Sequence, residues 1–170
     1  MGLQNRYTSS DMWLLKFLML LALIVWIGGI IFFAFVLAPT LFGVLPTTKL
    51  AGDVVSATLA KLHWMGLVSG VVFLICSLLY NWQKHVQLRP FMLSHIFVVL
   101  MLALTAFSQF VITPKMRTIR VRMDRANLQT WDDAPYAGFN AWHKLSTLTE
   151  GGVLFLGLGV VILTARKESN

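Results

Sequence analysis

Phe17 to Ala38 is a run of 22 residues without a charged side chain, closed by Pro39. About 20 apolar residues in a helix cross the hydrocarbon core of a bilayer. The run exceeds the roughly 7–15 residues of a signal-peptide core, so it reads as a retained anchor. Three further apolar stretches follow at Leu62–Trp82, Phe91–Thr113 and Trp142–Ala165. In lipid, backbone N–H and C=O groups must bond within their own segment, which leaves helices as the solution for runs of this length. The expected fold is all-α, an integral membrane four-helix bundle, with spans near 13–38, 62–82, 91–113 and 142–165 in a single membrane domain covering 1–170.

Composition agrees with this. The chain is 57% hydrophobic and 12% charged, where soluble domains average about 25% charged. The net charge of +7 belongs with anionic lipid headgroups rather than with nucleic acid, for which no binding motif is present. Cys76 is the one cysteine and lies in an apolar run, so neither a disulfide framework nor a thiolate metal cluster is available. The expected partners are the lipid bilayer, anionic headgroups, and a second copy or another membrane protein. The expected location is a bacterial inner membrane or another cellular membrane.

Connections follow from the breaks. Thr40–Ala60 contains Pro46 and Gly52 and reads as a loop with a short amphipathic helix leading into the second span. "NWQKHVQLR" is a tight polar loop, and Pro90 suits the first turn of the next helix. The segment 114–141 is a basic polar connection. Its start, "KMRTIRVRMDR", puts Met116, Ile119 and Met123 on one helical face, so the third helix is expected to continue past the bilayer. "WDDAPYAGF" then reads as a turn-rich loop. Arg117, Arg120 and Arg122 are the expected headgroup contacts. Basic residues number six on the side holding both termini and eight on the other, a small excess that favours termini away from the cytoplasm.

Each half of the chain has the order helix, proline, connection, histidine, helix, with Pro39 and His63 in one and Pro114 and His143 in the other. Two similar helical hairpins related by an axis along the membrane normal would give this pattern. It would also set the two histidines at similar depth, facing one another.

Polar residues inside the spans are the candidate site. His143, Thr147 and Glu150 are spaced i, i+4, i+7 and share a helix face. An ionisable residue within a span costs on the order of 2.5–3.5 kcal/mol unless paired or hydrated, so Glu150 must turn inward. Its expected companions are His63, Ser108, Gln109 and Thr113, whereas His95 starts from the opposite side. Three readings fit the cluster: a hydrogen-bonded layer that sets helix register; a transition-metal or haem site using His63, His143 and Glu150; or a polar pathway for an ion, a proton or a small solute. The glycines Gly28, Gly29, Gly66, Gly70, Gly151, Gly152, Gly157 and Gly159 read as close helix packing, with room for a flat ligand near His63 as the alternative. Trp13, Trp64, Trp82, Trp131 and Trp142 fall near span ends as interfacial anchors. With no nucleophile–base pair and no phosphate loop, the pattern disfavours an enzyme.

Four blocks resemble the transmembrane protein 205 family: "WIGGIIFFAFVLAPTLF", "AGDVVSATLAKLHWMG", "FVITPKMRTIR" and "FNAWHKLSTLT". They occur in order over most of the chain. The resemblance implies a four-span membrane protein and little about chemistry. It also implies Asn seven residues after His143, where this chain has Glu150. The "WIGG" segment is similar to copper-resistance membrane proteins and to a haem-dependent oxidase family. The reading that results is a protein that binds or moves a metal ion or small solute, with an accessory subunit of a larger membrane complex, or a haem-binding protein, as rivals.

Overall fold

A computed structural model describes residues 9–84, 89–125 and 137–168. Among them there is no strand, and four helical rods are each long and apolar enough to cross a membrane. The first rod joins α1 (Ser9–Phe32), a π turn π1 (Phe33–Leu37) and α2 (Ala38–Val44). The second is a single helix, α3 (Thr48–Lys84). The third joins α4 (Arg89–Phe107), a second π turn π2 (Ser108–Ile112) and α5 (Thr113–Arg125). The fourth is α6 (Ala137–Glu168).

The rods form an antiparallel bundle. α1 packs along α3 and α4 along α6, and contacts of α3 with α4 and of α1 with α6 close the ring. Its core includes Trp26, Ile27, Phe73, Met101, Val153 and Val160. Large apolar side chains such as Ile24, Phe35, Ile75 and Phe155 point outward. In water they would be a liability; in a bilayer they are the lipid-facing surface.

Two expectations about helix ends are corrected. Neither Pro39 nor Pro114 ends its helix: both rods continue beyond the proline. In an α turn a proline ring strikes the carbonyl four residues earlier. Here the turn before each proline widens, with the Ala38 N–H bonding Phe33 O and the Thr113 N–H bonding Ser108 O. That wider turn relieves the clash and bends the rod rather than breaking it. The repeated proline thus marks a repeated π turn, one per hairpin. The second correction concerns Thr40–Ala60. The helix expected there is present but not separate: it runs without a break into the second span as α3 from Thr48, and only residues 45–47 link the first two rods. Thr47 Oγ1 accepts from the Leu50 N–H at 3.2 Å and caps the start.

The helical extension after span three is present as α5. Its Met116 and the neighbouring Ile112 of π2 pack with Phe139, and Ile119 and Trp142 join them. Trp142 is therefore half-buried against α5, while Trp13, Trp64 and Trp82 are exposed as expected of anchors. Pro90 lies in the first turn of α4. The Met123 side chain, Trp131 and most of the "WDDAPYAGF" loop lie outside the described residues.

The glycines divide by what they face. A Cβ on Gly66 would come within 2.4 Å of Trp26 Nε1, and one on Gly70 within 2.6 Å of the same indole. The Gly66–Gly70 pair is a slot for Trp26, which is 2% exposed. Gly157 and Gly159 admit Ile27 and Phe97 in the same way. Gly28 and Gly151 face open space.

Candidate functional site

Three rods bring four polar side chains together in the upper half of the bundle. His63 projects from α3, four turns from its start, and is 2% exposed. Its Nε2 lies 2.6 Å from Glu150 Oε1 and its Nδ1 lies 3.0 Å from Gln109 Oε1. Ser108 Oγ donates to Glu150 Oε1 at 3.2 Å. Ser108 and Gln109 are neighbours in π2, and successive helical residues point about 100° apart. One therefore reaches α6 and the other α3, so the π turn stands between the two and joins them.

Proton bookkeeping follows from the partners. Gln109 Oε1 is an acceptor, so His63 Nδ1–H donates to it. The short contact to Glu150 then holds one more proton between Nε2 and Oε1. Whether drawn as imidazolium and carboxylate or as imidazole and carboxylic acid, the pair is neutral overall, which removes most of the cost of placing an acid inside a membrane.

Glu150 also lines a cavity of about 580 Å³. Its walls come from the ends of all four rods at the proline side of the bundle, including Phe33, Pro39, Leu59, Ile112, Met116 and Phe139. Both π turns border it. Glu150 Oε1 is held by His63 and Ser108, while Oε2 accepts no hydrogen bond from a described residue. The Glu150 side chain is 16% exposed and His63 only 1%. The acid meets the cavity, and the imidazole is sealed behind it.

The remaining expected site residues go elsewhere. His143 does not face His63: its ring stacks on Phe139 with centroids 6.0 Å apart, and it lines the cavity two turns from Glu150. Thr147 Oγ1 donates to the carbonyl of His143 at 3.1 Å rather than to the network, though it too lines the cavity. Thr113 Oγ1 donates to Ser108 O at 3.0 Å and so pins π2. Among the described residues no three His, Cys, Asp or Glu side chains are grouped to hold a metal. The trio His63, His143 and Glu150 is not assembled: His143 lies two turns along α6 from Glu150, with its ring stacked on Phe139. Arg120 also departs from the headgroup role. It lies 3.7 Å from Asp53, is partly buried and lines the cavity, whereas Arg117 and Arg122 are exposed. Sequence reasoning missed a second polar pair at the opposite end, where Ser77 Oγ lies 3.1 Å from His95 Nε2; a histidine on a span beside a serine-bearing span was the available signal.

These features define a four-span membrane protein with a buried histidine–glutamate pair at the base of a cavity. The chain belongs to the family described as Domain of unknown function (DUF4149), whose model matches residues 21–125. That segment contains His63, Ser108, Gln109 and the two prolines that follow π turns, Pro39 and Pro114, and Glu150 lies beyond it. No curated protein and no solved structure matches the chain.

Proposed function

We propose that this protein binds a small solute in the cavity between its proline-bent ends, with Glu150 as the polar anchor. One observation carries the reading: the Glu150 carboxylate has one oxygen fixed by His63 and Ser108 and the other directed at no described residue, beside a cavity of about 580 Å³. That volume falls within the roughly 300–1,000 Å³ of small-molecule sites, and so does the pattern of apolar walls with few polar groups. A structural layer alone would bury all four polar groups; here the acid is left accessible. The likeness to the transmembrane protein 205 family supports a four-span membrane protein and adds no ligand.

A resident metal or haem is favoured less. His63, the donor such a group needs, has both ring nitrogens bonded, and His143 stands apart. The test is native mass spectrometry of protein released gently from membranes, with elemental analysis and an absorption spectrum on the same sample. The expected result is a co-purifying small molecule that is lost in Glu150→Gln. A bound metal or a Soret band that disappears in His143→Ala, or no adduct in any preparation, overturns the proposal.

A further inference from the structure

We propose that the occupant of this cavity is a hydrophobic organic cation, and that its binding expels the proton held between His63 and Glu150. This rests on the small-solute reading and specifies its chemistry. The free Glu150 Oε2 is an acceptor, so the group that meets it is a cation or a hydrogen-bond donor. The walls favour a cation with apolar bulk, since Phe33 and Phe42 offer aromatic surface on which one can rest. A small inorganic ion would find one carboxylate and the hydroxyls of Ser56, Ser146 and Thr147, fewer than the roughly six to eight oxygens that an ion such as calcium takes.

Charge balance then dictates the exchange. With its proton in place, the pair is neutral and buried. A cation at Oε2 adds a second positive charge beside a His63 ring that is 2% exposed and, among the described residues, has no other acid within bonding distance. Two cations on one carboxylate in low dielectric repel strongly. The proton on Nε2 leaves through Glu150, the side of the pair that reaches the cavity, and passes to solvent. His63 remains as the neutral imidazole with Nδ1–H still donated to Gln109. One positive charge enters and one departs.

The other charged and titratable groups around the cavity are compatible with this. Arg120, from α5, lies against Asp53 of α3 at 3.7 Å, so its charge is offset at that end. His143, from α6, also lines the cavity, with its ring stacked on Phe139.

The experiment uses the purified full chain in detergent micelles with tetraphenylphosphonium as the probe and triphenylmethanol as a neutral donor of similar bulk. In weakly buffered solution, cation binding is expected to release one proton per protein. Its apparent affinity should fall by about tenfold for each pH unit lowered, wherever the pair holds its proton. Glu150→Gln is expected to abolish cation binding. Should that variant fail to fold, proton release by the unaltered protein still decides the matter. Cation binding without proton release, or undiminished in Glu150→Gln, overturns the exchange. Binding of triphenylmethanol alone overturns it too while leaving the small-solute reading intact, and so does the absence of binding by either probe.

Discussion

His63 and Glu150 lie 87 positions apart in the chain, yet their side chains meet at 2.6 Å across the bundle. The contact links the second rod to the fourth, and Ser108 and Gln109 of the third rod bond to both. Three of four rods are thus tied by polar contacts at one level of the membrane.

Removing one partner leaves the other stranded. His63→Ala should destabilise the protein by about 2–4 kcal/mol, because Glu150 then stays within a span without its main partner. Glu150→Gln should cost less than about 1.5 kcal/mol, since an amide bonds both Nε2 and the Ser108 hydroxyl. The double variant should be less damaged than the sum of the two. Thermal unfolding in detergent, analysed as a double-mutant cycle, checks this; strict additivity would show that the pair is not coupled.

Glycine substitutions should separate by position. Gly66→Ala sets a Cβ against the Trp26 indole, and overpacking of this kind typically costs about 1–3 kcal/mol. Gly151→Ala, with nothing within 4 Å, should be neutral or stabilise by up to about 1 kcal/mol through helix propensity. Unfolding of the two variants side by side is the measurement, and equal effects would refute the slot for Trp26.

The π2 turn sets the rotation of α5. Pro114→Ala removes the ring whose clash the π turn relieves, so the rod should revert to a continuous α-helix and rotate α5 by about 100°. Met116 would then leave Phe139, with which it packs. Cysteines introduced as Met116→Cys and Phe139→Cys should cross-link in the otherwise unaltered chain and lose most of that yield when Pro114→Ala is added. Unchanged cross-linking would mean that the turn does not set the register.

The Asp53–Arg120 pair should matter little for stability. At 3.7 Å with Asp53 47% exposed, it resembles surface pairs worth about 0–1 kcal/mol. Asp53→Asn is expected to shift unfolding by no more than that, with a smaller shift at high salt. A large, salt-independent loss would show instead that Arg120 needs Asp53 to remain at the cavity.

The candidate site was partly legible before any fold was known. Glu150 had to turn inward because hydrocarbon does not solvate an acid, and depth in the membrane pointed to His63, Ser108, Gln109 and Thr113 as its companions. What spacing could not reveal was which way His143 points. That depended on Phe139, one turn earlier, and on where α5 lies against α6. The prolines were misread for a similar reason. A proline in an apolar run either ends a helix or bends it, and the outcome turns on whether neighbouring rods hold the far side in place.

The sequence by itself determined the number of spans, their helical character and the presence of an inward-facing acid, because each follows from the intolerance of lipid for unpaired polar groups. Only the tertiary structure decided that helices one and three run on through their prolines, that Gly66 and Gly70 receive an indole, and that Glu150 borders a cavity while His63 is sealed behind it. Those outcomes depend on how rods distant in sequence pack sideways, and lateral packing leaves no periodic signature in a single chain.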